Sequence, residues 1–187
     1  MRITGGAARG RSLRAPRGLR VRPTADKVRG AIFNVLAART DIDGQRWLDL
    51  FSGSGALGLD ALSRGAAHVT FVDESRESCR FTLQNLERAS FAERAEVLRL
   101  ALPQALRRLA REVARYDGAF VDPPYRRGLA AETLAELGQS GLLVSGAWVV
   151  AEHAVEESLG ERYGALIRAD RRRYGSTGIT LYVMEEP

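Results

Sequence analysis

Three observations predict an α/β fold on a mostly parallel sheet that ends in an antiparallel hairpin. After Gly44, short apolar runs alternate with longer helical patterns, as they do where helices cover a parallel sheet. A glycine loop, Gly53-Ser54-Gly55-Ala56-Leu57-Gly58, lies where the first of those runs passes into a helix. Near the end, strand-like runs at Tyr163–Arg173 and Ile179–Met184 flank Tyr174-Gly175-Ser176-Thr177-Gly178, a link too short for a crossover helix.

Residues 1–23 are rich in glycine and arginine and read as a short hairpin or arm, an extension to a domain spanning residues 24–187. A helix starts at Pro23 and Thr24, because Val28, Ala31, Ile32, Val35 and Leu36 form one apolar stripe and Asp26 suits the positive end of the helix. Strands are expected near Arg46–Phe51, His68–Asp73, Glu96–Leu100, Ala119–Asp122 and Ala147–Glu152. Between them, helices are expected at Ala56–Arg64, Ser75–Ala89, Pro103–Ala114 and Leu129–Leu137, with Gly65 and Gly138 as stops.

A chain of 187 residues is long enough for one domain that buries roughly 70% of its unfolded surface. Its 45% hydrophobic and 27% charged residues exclude a wholly disordered chain. The net charge is +5, and Arg2, Arg9, Arg11, Arg14, Arg17, Arg20 and Arg22 all precede the first acid, Asp26, while Lys27 is the sole lysine. Arginine grips phosphate with a rigid fork and stacks on bases, so this cluster points to nucleic acid, although a GC-rich genome or heat adaptation also enriches arginine. Cys79 is alone, which excludes an internal disulfide and a multi-cysteine zinc site. His68 and His153 have no metal-ligand partner at helical spacing and read as structural, so no metal is expected. No run approaches the roughly 18 apolar residues of a membrane span, so a cytoplasmic protein without membrane contact is expected.

The loop from Asp49 to Gly58 lets backbone approach a bound cofactor closely, and Asp73 ends the next strand where a carboxylate can accept both ribose hydroxyls of an adenosine. Dinucleotide and S-adenosylmethionine sites both need that arrangement. Two details favour S-adenosylmethionine. Asp49 stands where its carboxylate organises the loop or meets the amino acid end of the cofactor, and no second domain is left to hold a hydride acceptor. An NAD(P)-dependent oxidoreductase is the other enzyme class.

Asp122-Pro123-Pro124-Tyr125 follows the fourth strand, at the sheet edge where ligands bind in open α/β folds. Two prolines stiffen the turn and leave the Pro123 carbonyl without local competition. A base amino group is a poor nucleophile because its lone pair is delocalised. Acceptors at Asp122 and the Pro123 carbonyl can hold both N–H bonds and turn the lone pair toward a methyl donor. Tyr125 can stack on an extruded base, and Arg126 and Arg127 can meet phosphates. The bland alternative has Pro-Pro end the strand and Tyr125 pack on the sheet edge.

These residues resemble the bacterial small-subunit rRNA guanine-N2 methyltransferases of the RsmD type over nearly the whole chain. The marks are Arg2-Ile3-Thr4-Gly5-Gly6 with Arg9-Gly10-Arg11, Arg22-Pro23-Thr24 leading to Phe33-Asn34, Phe51 through Gly58, and Asp122 through Gly128. The tetrad alone also fits adenine or glutamine amino-methyltransferases, and the arginine arm alone fits a non-catalytic RNA-binding module. The resemblance implies a seven-stranded Rossmann-like class I S-adenosylmethionine-dependent methyltransferase fold with a small N-terminal extension. Its implied acceptor is the guanine at position 966 of 16S rRNA, in the 30S subunit or an assembly intermediate, with the enzyme a monomer. Asp122, Pro123 and Tyr125 are then the catalytic candidates. Cofactor contacts fall to Thr24, Asp49, Phe51, Gly53, Gly55, Asp73, Leu102 and Asp122, and substrate contacts to Arg2, Arg9, Arg11, Arg14, Arg22 and the Tyr125-Arg126-Arg127 run. The sequence departs from the family in having Ala101 where an Asp or Asn is usual, which leaves adenine to backbone groups such as the Leu102 amide, and in lacking a second acid two positions after Asp73.

Overall fold

The structure is a computed structural model that describes residues 1–15, 23–112, 114–124 and 128–186, with backbone alone at 23–25. Helix α1 (Pro23–Ala37) leads into β1 (Arg46–Leu50), α2 (Ala56–Ser63), β2 (His68–Asp73), α3 (Arg76–Ala89), β3 (Ala95–Arg99), α4 (Leu102–Arg111), β4 (Tyr116–Val121) and α5 (Leu129–Leu137). The chain ends in β5 (Leu143–Ala154), β6 (Arg162–Tyr163), β7 (Leu166–Tyr174) and β8 (Thr177–Met184). The sheet order is β3-β2-β1-β4-β5-β8-β7-β6, with β1 to β5 parallel and the remainder antiparallel.

Side-chain alternation on the central strands explains why the sheet is covered on both sides. Trp47 and Phe120 point into one apolar cluster with α1, α2 and α3, whereas Leu48, Leu50, Ala119 and Val121 point into the other, with α4 and α5. Both faces are apolar, so both need helices. Trp47 stacks on Phe120 with centroids 4.8 Å apart, and the Trp47 ring lies over Gly118, where an added Cβ would stand 2.5 Å from it.

The structure corrects the expected strands in three places. The sheet has eight strands rather than seven, because the expected strand Tyr163–Arg173 is interrupted at Gly164, whose φ of 60° turns Tyr163 into the two-residue β6. Strand β4 begins at Tyr116, earlier than expected, since Asp117 and Gly118 hide strand character. Asp117 accepts the Arg46 N–H at 2.8 Å, and Gly118 makes room for Trp47. Strand β5 runs from Leu143 to Ala154, through Gly146 at φ 77°, and its register against β4 shifts between Tyr116 and Gly118.

Residues 1–15 form the hairpin alternative, closed by Ile3 N–H to Arg11 carbonyl (3.0 Å), Gly10 N–H to Ile3 carbonyl (2.9 Å) and a bridge between Arg2 and Ser12. Far from hanging free, it is packed into the core through Ile3, Ala8 and Leu13. Its backbone is also claimed by α2 and α3: Asp60 accepts from the Thr4 N–H and hydroxyl, both at 2.8 Å, the Ser63 hydroxyl from the Ala8 N–H (2.8 Å), and Asn85 from the Arg14 N–H (2.8 Å). His153 is fully buried between the Ala154 carbonyl and the Thr180 hydroxyl, each 2.9 Å away, which is a structural role. Among the described residues, no helix is long and apolar enough to cross a membrane, and no group of three His, Cys, Asp or Glu could hold a metal ion.

Candidate active site

The glycine loop is held by two carboxylates. Phe51, at φ 60°, turns the chain out of β1, and Ser52 donates its N–H to the Val72 carbonyl at 3.0 Å. Asp73 then accepts the Gly53 N–H (2.8 Å) with one oxygen and the Ser75 N–H (2.8 Å) with the other. Asp49, buried in β1, accepts the Gly58 N–H at 2.9 Å and so satisfies a donor that the first turn of α2 leaves unpaired. An added Cβ at Gly58 would meet the Phe71 ring at 2.3 Å, so this glycine lets α2 lie close on the sheet. Gly55 has the same packing role, facing Thr82 and Phe71 at φ 77°, and is not part of the cavity wall.

A cavity of about 800 Å³ opens at the carboxyl edge of the parallel strands. It gathers the expected residues Asp49, Phe51, Gly53, Asp73, Leu102, Asp122 and Pro123. Arg2, Arg9, Arg11 and Arg14 are exposed and do not line it. Arg22, Tyr125, Arg126 and Arg127 lie outside the described residues, as does the side chain of Thr24. Sequence reasoning missed Arg29, Thr133 and Glu152, which also form the wall. Glu152 on β5 had a usable signal, because it ends the expected strand Ala147–Glu152 and follows Ala151, the partner of Val121, at the same edge as Asp122.

Burial raises the Asp49 carboxyl from 3.8 to about 8, with the Gly58 N–H and Arg29 opposing and the neighbouring Asp73 adding to the rise. Burial likewise lifts Asp122 well above the usual carboxylate range, helped by the negative charges of Glu152 and Asp49. Asp49, Asp73, Asp122, Glu152 and four further acids face the cavity, against the one guanidinium of Arg29 among the described residues. The described part of the wall thus disfavours a dinucleotide's pyrophosphate and favours a cation. S-adenosylmethionine fits it: the sulfonium and ammonium are positive, Asp73 brings a carboxylate acceptor to the wall, and the Ser52 hydroxyl there has no partner among the described residues.

The family model described as "Conserved hypothetical protein 95" matches residues 1–183. Ribosomal RNA small subunit methyltransferase D of Escherichia coli K12 is 41% identical over 159 residues, covering 85% of this chain and 77% of the relative. The chain belongs to this family, the RsmD type. A Bacillus subtilis 168 member, "Putative rRNA methyltransferase YlbH", is 38% identical over 97% of this chain and 98% of its own. Among solved structures, a hypothetical protein of Thermus thermophilus superposes with a TM-score of 0.83 at 33% identity, covering 100% of this chain and 99% of that one. The Rossmann-like class I fold expected of an RsmD-type chain is the sheet described above, with the short β6 added.

Proposed function

We propose that this protein transfers a methyl group from S-adenosylmethionine to the exocyclic N2 amine of one guanine in small-subunit rRNA, at position 966 of the 16S molecule. It is an S-adenosylmethionine-dependent RNA methyltransferase, as its RsmD-type membership and its acid-lined cavity together indicate. One observation carries the reading: Asp122 and Pro123 share a single cavity with the Asp49–Gly58 loop and Asp73, so an amine held by the former meets a cofactor held by the latter.

The cofactor supplies an electrophilic methyl group. Asp122 and the Pro123 carbonyl accept the two N–H bonds of the amine and aim its lone pair. Burial and the charges of Glu152 and Asp49 raise the Asp122 carboxyl, which makes it a better acceptor for the proton that the methylated amine sheds as S-adenosylhomocysteine departs. Tyr125 stacks on the extruded base. The hairpin and the residues that follow it, with Arg2, Arg9, Arg11, Arg14 and Arg22, meet rRNA phosphates of the 30S subunit or its precursor, and the monomer works in the cytoplasm. Transfer of labelled methyl groups to small subunits lacking the modification, followed by mapping of the product, tests this. N2-methylguanine at one position is expected. A labelled adenine N6 would establish the other amino-methyltransferase reading, and an inert acceptor would remove rRNA as the substrate.

A further inference from the structure

Arg29 is a buried cation with three partners already assigned. From α1 its Nε donates to Asp60 at 2.6 Å, and its Nη2 donates to Asp26 at 3.0 Å and to the Arg2 carbonyl. The two N–H groups of Nη1 make no hydrogen bond to any described residue, and the side chain, 6% exposed, lies on the cavity wall beside its partner Asp26. A guanidinium locked on one side and open on the other is preorganised for a planar anion.

The cavity's charge decides which anion. Among the described residues acids dominate the rest of the wall, and Arg29 is the one guanidinium there that attracts a negative group. S-adenosylmethionine carries one anionic group, the α-carboxylate. We infer that Arg29 binds the cofactor's α-carboxylate through Nη1 and so fixes which end of the cavity takes the amino acid, an assignment that rests on the cofactor reading above. The adenosine then lies toward Asp73 and the Leu100–Pro103 turn, which leaves the sulfonium between them, near Asp122. The Arg2 carbonyl makes the N-terminal hairpin a support of this clamp, because it holds the Nη2 side of the fork in place.

The test is calorimetric binding of S-adenosylhomocysteine and of its decarboxylated counterpart to the full chain. Arg29→Gln alone leaves the buried Asp60 charge unpaired and can unfold the protein, so Arg29→Gln is combined with Asp60→Asn, which keeps an acceptor for Thr4 and Gly5. Wild type is expected to prefer the carboxylate-bearing ligand by about ten- to a hundredfold, the range of a hydrogen bond to a charged group. The double variant is expected to bind both ligands alike. A purely structural Arg29 lowers both affinities together and leaves their ratio intact. A preference that survives in the double variant, or no preference in wild type, overturns the assignment. Failure of wild type to bind either ligand defeats the cofactor reading itself, and the clamp with it.

Discussion

The carboxylate of Asp73 accepts the backbone N–H of Gly53 at 2.8 Å, tying the end of β2 to the loop that leaves β1. The acid proposed to take the ribose hydroxyls therefore also shapes the glycine turn. Asp73→Ala should weaken S-adenosylhomocysteine binding about ten- to a hundredfold, as expected for a lost charged hydrogen-bond partner. Asp73→Asn, which keeps an acceptor for Gly53, should lose less. Equal calorimetric affinity across all three proteins removes Asp73 from the cofactor site.

Asp49 gives a pH dependence with a definite sign. Its folded value of about 8 lies above the ordinary 3.8, so between the two the folded state retains a proton that the unfolded state has released. Stability from this group is present below about pH 4 and is lost as pH rises toward 8. Asp49→Asn keeps an acceptor for the Gly58 N–H and removes the titration. The variant's melting temperature relative to wild type should therefore climb between pH 5 and pH 8, and a constant difference would refute the raised value.

Asp122→Ala should reduce the methyl-transfer rate by about a hundredfold or more, the scale seen when one preorganised polar contact to a reacting group is deleted. Cofactor affinity should change little, because the side chain is assigned to the amine. Single-turnover kinetics beside calorimetry separates the two effects, and turnover at the wild-type rate excludes Asp122 from the chemistry.

Gly58→Ala tests the packing of α2 on the sheet. The new Cβ would sit 2.3 Å from the Phe71 ring and 2.8 Å from Val69, so the helix must lift or the ring must turn. A loss of about 1–3 kcal/mol is expected by chemical denaturation, in line with overpacked cores. Wild-type stability would mean that α2 tolerates a wider spacing than the structure shows.

Arg9, Arg11 and Arg14 point outward from a hairpin whose docking is carried by backbone groups and by Ile3, Ala8 and Leu13. Arg11 also donates to the Arg88 carbonyl at 2.8 Å, an exposed bond whose loss should matter little. Replacing all three with Ala should leave melting temperature and cofactor affinity near wild type. It should flatten the salt dependence of subunit binding by about 0.7–0.9 log units per lost phosphate contact. An unchanged slope argues against phosphate contacts by the hairpin.

Much of the architecture was legible because it rests on local patterns. The glycine loop, the boundaries of β2 and α5, and the place of Asp122 at a strand end follow from apolar periodicity interrupted by glycine and proline. The parts that were not legible depend on partners distant in sequence. Arg29 looks like an ordinary polar position on α1, and only Asp60, 31 residues later, and the cavity give it meaning. Docking of the hairpin was equally hidden, since Thr4, Ala7 and Ala8 are held through backbone N–H groups that carry no compositional trace.

The hairpin's partners also set an order of assembly. Thr4 waits for Asp60, 56 residues on, Ala8 for Ser63, and Arg14 for Asn85, 71 residues on. While the chain is being made, Ile3, Ala8 and Leu13 leave the ribosome with only α1 to follow them closely, and their packing stays incomplete until α2 and α3 have emerged. Contacts of this range slow folding, because the loop must close before they form. A nascent chain stalled before Ser63 should therefore present a sticky, protease-sensitive N-terminus, and one released beyond α3 should not.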